Sequence, residues 1–205
     1  MDAIQKLTEI FKQFPGIGPR QAKRFVYFLL GQENSYNTEL SKLVSELQHD
    51  ISCCTSCYRF FVKNSRHTTV CSICADTHRD KTAILIVSRD VDFENIEKTR
   101  TFTGYYFILG GTVPILAPEP ASLIHQKELM EVISKRSKAG LKEVILAFDL
   151  NPEGEHTREY IQQILGPLSI KHGFTISLLG RGLSMGSELE YSDTDTLKSA
   201  LNSRK

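Results

Sequence analysis

Apolar residues recur at helical spacing through the first fifty positions and gather into short strand-like runs after that, and the change of period divides the chain. Ile4, Leu7, Phe11 and Phe14 share one helical face, Ala22, Phe25, Val26 and Leu29 a second, and Leu40, Leu43, Val44 and Leu47 a third. Steps of three and four residues place each set on one side of a helix. Between the first two sets stands Pro15-Gly16-Ile17-Gly18-Pro19. Its prolines lack the N–H a helix interior requires, so the segment predicts a tight turn.

From Thr82 onward the apolar runs are Ile84 to Val87, Tyr105 to Leu109, Val144 to Phe148 and Ile176 to Leu179, which predict strands. Helical stretches are expected between them: Val91 to Lys98, Ala121 to Lys138 ending at Gly140, and Glu155 to Leu165 with Tyr160, Ile161, Ile164 and Leu165 on one face. Strands alternating with helices predict an α/β fold whose mostly parallel sheet is covered on both faces. After Gly186 a short strand and a helix beginning near Asp193 are expected.

The chain has 205 residues, 40% of them hydrophobic and 24% charged, enough for one medium domain with small appendages. No stretch approaches the roughly 20 apolar residues of a membrane span, and Met1 to Phe14 lacks the basic start and apolar run of a signal peptide. A cytoplasmic protein with no membrane partner is expected. There is no internal repeat or low-complexity tract, which excludes a solenoid or a disordered chain. The net charge of +1 hides an uneven distribution. Lys12, Arg20, Lys23 and Arg24 make one segment basic, while Glu188, Glu190, Asp193 and Asp195 make another acidic.

Cys54-Thr-Ser-Cys57 and Cys71-Ser-Ile-Cys74 form two CxxC pairs separated by thirteen residues. Each pair can turn both sulfurs onto one ion, and the loop between lets the pairs meet around a tetrahedral metal, so Cys54, Cys57, Cys71 and Cys74 are the expected zinc ligands. Four thiolates leave no open coordination position, which makes the zinc structural. Cys53 is the spare fifth cysteine. A thioredoxin-like redox pair would leave the second CxxC without a role. The surrounding residues are too few for a hydrophobic core, so metal binding should supply most of this module's folding free energy.

Phe14-Pro15-Gly16-Ile17-Gly18-Pro19-Arg20 joins two amphipathic helices, the arrangement of a helix-hairpin-helix element. Gly16 and Gly18 permit backbone shapes closed to other residues and let main-chain N–H groups approach a phosphate at the next helix N-terminus. Arg20, Lys23 and Arg24 fall on the polar side of that helix, where they can neutralise neighbouring phosphates. Phosphate contacts carry no base information, so binding is expected to be sequence-tolerant and weakened by salt. A plain helical hairpin with a solvated basic face is the alternative for the turn taken alone.

The order FPGIGPRQAKRFVYFLL, CTSC, CSIC, EVILAFDLNPEGEHTREYI and RGLSMGSELEYSDTDTLKSAL resembles the RecR family over residues 5 to 202. The resemblance implies a helix-hairpin-helix region at 1–50, a four-cysteine zinc finger at 51–78, a Toprim-like domain at 79–174 and a C-terminal strand-helix segment at 175–205. It implies recombinational repair, partnership with DNA and with RecO or RecF, help in loading RecA onto SSB-covered single strands, and a ring-like homo-oligomer, dimer or tetramer. Arg20 and Arg24 fall where the family places DNA-contacting residues; Glu153-Gly154-Glu155 and Leu189-Glu190-Tyr191 also match.

Departures from the family lie in the Toprim-like part. Ser88 stands where a glutamate usually ends the first strand, Phe148-Asp149-Leu150-Asn151 replaces a different polar run, and Val113 to Ser122 lacks the expected glycines. Catalytic Toprim enzymes resemble one another in using a strand-end glutamate and a DxD pair to hold magnesium. Here Ser88 supplies no carboxylate, and Asp149-Leu150-Asn151 supplies one where two are needed. Asp90, Asp92, Glu153 and Glu155 could substitute, but acids at helix starts more often serve the helix. The six histidines are scattered, and no GxSxG or P-loop motif occurs. No enzymatic activity is expected. The alternatives are a magnesium-dependent Toprim nuclease or nucleotidyl-transferring enzyme, and a pure protein-interaction adaptor.

Overall fold

A computed structural model describes residues 1–63 and 68–179. His67, the Leu189-Glu190-Tyr191 motif, the acidic stretch around it and the expected C-terminal strand and helix lie outside the described residues. The chain divides into two compact units, Met1–Ile51 and Ser52–Lys205.

The first unit is helical, as its periodicity predicts. Helix α1 (Ala3–Phe11) is opened by a capping box in which Asp2 accepts from the Gln5 N–H at 2.8 Å and the Gln5 side chain accepts from the Asp2 N–H at 3.2 Å. Helix α2 (Pro19–Leu30) begins with proline at its first position, where the missing N–H costs nothing, and ends at Gly31. Helix α3 spans Asn34–Asp50. Ala22 and Val26 are buried between neighbours, and Phe11 makes edge contacts with Phe14 and Phe25. The third apolar face behaves differently: Leu43, Val44 and Leu47 are all more than half exposed.

From the boundary onward, β1 (Ile51–Cys53) and β2 (Phe60–Val62) form a two-stranded sheet, followed by the single-turn helix α4 (Ser72–Ala75). The main sheet comprises β3 (Asp80–Val87), β4 (Gly104–Ile108), β5 (Glu143–Ala147) and β6 (Thr175–Leu178), in the order β4-β3-β5-β6 with every pairing parallel. Thr175–Leu178 is thus bonded to β5 and is the last strand on that side among the described residues. Helices α5 (Asp90–Thr99), α6 (Gln126–Ser137) and α7 (Pro152–His172) make the crossovers.

Strand alternation sorts the core into two layers. Ile84, Ile86, Tyr105, Phe107, Val144 and Leu146 face α6 and α7, meeting Leu129, Ile133, Ile161 and Leu165. Leu85, Val87, Tyr106, Ile108 and Ala147 face the other way onto Phe93 of α5, with Ile73 of α4 beside them. Each large side chain fully buried here contributes about 1.5–3 kcal/mol.

Two helices differ from their sequence expectation. The predicted Ala121 to Lys138 helix is broken: a 3-10 turn at Pro120–Ser122 precedes α6, because the His125 N–H turns back to the Leu109 carbonyl at 2.8 Å and Ile124 enters the core. The predicted Glu155 to Leu165 helix runs on to His172 through Pro167. Leu165 and Leu168 bind it to the core on either side of that proline, offsetting the lost hydrogen bond, and Gly173 ends it in the left-handed region at φ 75°.

Candidate metal centre and nucleic-acid interface

Each CxxC pair folds into a tight knuckle. The Tyr58 N–H donates to the Cys54 carbonyl at 2.9 Å with Tyr58 itself at φ 62°, and the Ala75 N–H donates to the Cys71 carbonyl at 3.0 Å. The thiol sulfurs of Cys54, Cys57, Cys71 and Cys74 lie within 4.8 Å of one another, and the first three residues are fully buried. Cys57 Sγ and Cys71 Sγ are 3.6 Å apart, close to the roughly 3.8 Å edge of a tetrahedron built on zinc–sulfur bonds of about 2.3 Å. The Cys71 N–H points at Cys54 Sγ from 3.3 Å, the kind of donor that stabilises a thiolate. The sequence-predicted ligands are therefore brought together in a geometry that fits a closed metal site. Hydrogen bonding with Cys57 draws the Cys54 thiol below its ordinary value, and the same contact drives Cys57 above it. Such thiols share protons that a metal would displace. Cys53 stays outside the cluster, exposed, with its thiol on the Tyr58 carbonyl at 3.4 Å.

The knuckle is tied to the sheet by contacts that spacing alone did not reveal. The Ile108 N–H, on the outer edge strand β4, donates to the Cys57 carbonyl at 2.8 Å. The Phe60 N–H donates to Asp90 Oδ1 at 2.9 Å, and the Arg59 guanidinium lies 4.5 Å over the Phe93 ring. Tyr58 packs against Phe107 and His125, whose ring centroids are 5.4 Å and 5.0 Å away. Half-buried His125 sets its Nδ1 3.1 Å from the Ile108 carbonyl.

In the helical unit, the Ile17 N–H donates to the Phe14 carbonyl at 3.1 Å, closing the predicted turn. Of its two glycines, Gly16 sits at φ 75°, where only glycine is at ease, whereas Gly18 has an ordinary φ of −80°. Gly18 is the N-cap of α2 and offers no side-chain acceptor, so the Arg20 and Gln21 N–H groups have no acceptor among the described residues. Arg20, Lys23 and Arg24 are all exposed on α2, with Arg24 3.4 Å from Gln21 Oε1. Lys12, read as part of the same basic segment, is paired with Glu9 at 2.8 Å.

At the carboxyl end of the main sheet most acids are employed structurally, while the Asp149 carboxylate is exposed with no hydrogen bond or ion pair among the described residues. Asp92 accepts from the Arg89 N–H at 3.0 Å, Asn151 caps α7 by accepting from the Gly154 N–H at 2.7 Å, Glu153 meets the Thr112 hydroxyl and Glu155 pairs with Arg158. Ser88 is buried and its hydroxyl has no hydrogen-bond partner among the described residues. An unpaired buried hydroxyl costs about 1–3 kcal/mol, so Ser88→Ala should leave stability unchanged or raise it by up to about 1 kcal/mol. A clear fall in melting temperature would show that this hydroxyl has a partner.

A parallel sheet of this order beside a knuckle of four clustered cysteines, in a chain that also carries a glycine turn between two helices, marks a Toprim-type protein. Family models match accordingly: the Toprim domain over residues 82–179, the RecR helix-hairpin-helix over 4–47 and the RecR C-terminal region over 182–205. The chain is 35% identical to Recombination protein RecR of Bifidobacterium longum subsp. infantis over 204 residues, covering 99% of this chain and 96% of that one. It is 34% identical to the Mycobacterium leprae protein of the same name (98% and 96%) and 33% to that of Lactococcus lactis subsp. lactis (99% and 96%). The chain belongs to the RecR family of recombination proteins.

Proposed function

We propose that this chain is a non-catalytic, cytoplasmic DNA-binding mediator of recombinational repair, stabilised by one structural zinc ion on Cys54, Cys57, Cys71 and Cys74. It binds DNA backbone through Gly16, Gly18, Arg20, Lys23 and Arg24, and works as a ring-like homo-oligomer, dimer or tetramer. With RecO, RecF or both it assists the loading of RecA onto SSB-covered single strands. The observation that carries the DNA assignment is the start of α2. Among the described residues, two N–H groups without acceptors stand beside three exposed cations, at a glycine whose added Cβ would meet nothing within 4 Å. Nothing among the described residues requires glycine at position 18, whereas close approach of a phosphate would.

The non-catalytic reading is supported by the side chains at the sheet's carboxyl end. Ser88 and Asn151 occupy positions where a magnesium site needs carboxylates, and Asp92, Glu153 and Glu155 are held by caps and partners, which leaves Asp149 as a single carboxylate there. The exposed Leu43, Val44 and Leu47 face supports self-association, since such a patch is ordinarily covered.

Fluorescence anisotropy of labelled DNA over a salt series, with zinc-loaded protein and magnesium present, tests the reading. Arg20→Ala with Arg24→Ala should weaken binding more than about tenfold and flatten the log–log salt slope by about 1.4 on a single strand, the share of two phosphates. Gly18→Ala should weaken binding while changing stability by less than about 1 kcal/mol. Wild-type protein without salt-sensitive binding would leave the adaptor reading in front, and magnesium-dependent cutting would establish the enzyme.

A further inference from the structure

One hollow in the second unit, lined by Cys74 but otherwise by residues outside the metal ligands, has no role yet. It encloses about 510 Å³ between the cysteine knuckle and α6, and its wall includes Thr55, Ser56, Tyr58, Glu131, Lys135 and Arg136. That volume falls within the roughly 300–1,000 Å³ of small-ligand sites and can take one nucleotide.

Its polar groups converge with donors to spare. The Arg136 guanidinium lies 4.0 Å over the Tyr105 ring, and the Tyr105 hydroxyl is itself fixed by donating to the Asp76 carbonyl at 2.9 Å. Stacking fixes the plane of the guanidinium and leaves its N–H edge available, and none of its donors has an acceptor among the described residues. Lys135 stands at the i,i+4 spacing from Glu131 that pairs Lys98 with Glu94 and Lys42 with Glu46, yet among the described residues it forms no such pair. The Ser56 hydroxyl makes no hydrogen bond among the described residues, while the Thr55 hydroxyl donates to the Thr69 carbonyl at 3.2 Å. Cations in the last turn of a helix complement its dipole. That accounts for the sign of Lys135 and Arg136, and leaves unexplained the stacked, unpaired guanidinium facing a hydroxyl-bearing hollow.

We propose that this hollow is a second nucleic-acid subsite. It takes one backbone phosphate of a single strand on Lys135 and Arg136, with the adjoining base against Tyr58. The inference rests on the reading of the chain as DNA-binding. A single strand is favoured over a duplex because a base must leave its stack to enter a concave site and use an aromatic wall. Two counterweights bound its strength: Glu131 lines the same hollow, and a zinc ion held by four thiolates carries a formal charge of about 2−. The subsite therefore assists a strand held chiefly elsewhere.

The test is anisotropy of a labelled oligothymidine across a salt series with the full, zinc-loaded chain. Lys135→Ala with Arg136→Gln should weaken binding about five- to tenfold and reduce the salt slope by about 0.7, one phosphate's worth for a single strand. Glu131→Gln, which removes the repelling carboxylate, should tighten it. Because Arg136 packs on Tyr105, Ser56→Glu is the second variant: it sets a carboxylate at the hollow without disturbing that stack and should also weaken binding. Unchanged slope and affinity in these variants, while the Arg20 and Arg24 double variant still loses binding, would overturn the subsite and leave the mediator reading intact. Absence of binding by the wild type would overturn both. If inorganic triphosphate bound the wild type and not the Lys135 and Arg136 variant while the two proteins held oligothymidine equally well, the hollow would be a site for free nucleotide phosphates, which also overturns the strand assignment.

Discussion

Stripping the zinc proposed on Cys54, Cys57, Cys71 and Cys74, or changing Cys57 to serine, is expected to unfold the knuckle and free the β4 edge of the main sheet. The knuckle's own core consists of Cys54, Cys57, Cys71 and Phe61, with Val70, Ile73 and Cys74 packed beside them, too little to hold a fold without an ion. Structural zinc supplies an apparent binding free energy of about 10–16 kcal/mol at neutral pH, more than this small cluster can replace. The consequence reaches beyond the module because the Ile108 N–H depends on the Cys57 carbonyl. Hydrogen exchange should show the amides of 52–62 and of Ile108 losing protection on chelation, together with a lower melting temperature and release of about one zinc per chain. Acid should act in the same direction. Metal-bound thiols are ionised while thiols of an unfolded chain titrate near 8.5, so the unfolded form binds more protons, stability rises with pH and it is lost as pH falls. A stripped chain with unchanged exchange at Ile108 would refute the coupling.

Gly154→Ala is expected to destabilise the protein by about 3 kcal/mol, the upper end of overpacking costs. A Cβ at this position would lie 2.1 Å from the Asp149 carbonyl oxygen and 2.9 Å from its carbonyl carbon. These are backbone atoms and cannot yield by changing rotamer. The loop after β5 folds tightly over the first turn of α7, where Asn151 accepts from the Gly154 N–H, so relief of the clash would also pull the cap apart. For a chain of this size the cost corresponds to a fall in melting temperature of about 6–12 °C. A variant melting within a degree or two of the wild type would mean that the Asp149 loop is free to move away. The glycine of Glu153-Gly154-Glu155, which sequence reading matched to the family without a role, thus has a steric one.

Periodicity, glycine–proline punctuation and cysteine spacing are local properties, and they determined most of the architecture. Runs such as Ile84 to Val87 and Val144 to Phe148 named the strands, because a strand buried on both faces must be apolar throughout. Two CxxC pairs named the four ligands, because each knuckle is set by its own hydrogen bonds. Pro15 to Pro19 fixed the turn and the start of α2. Contacts between residues distant in sequence decided the rest. Packing of Leu165 and Leu168 carried α7 through Pro167, and the pull of Leu109 on His125 interrupted the expected helix before α6. Asp90, read from sequence as a possible metal acid, proved to hold the Phe60 N–H, and Asn151 proved to be a cap. The attachment of the knuckle to β4 and the stacking of Arg136 on Tyr105 have no local signature, because each joins segments dozens of residues apart whose meeting depends on the sheet order β4-β3-β5-β6.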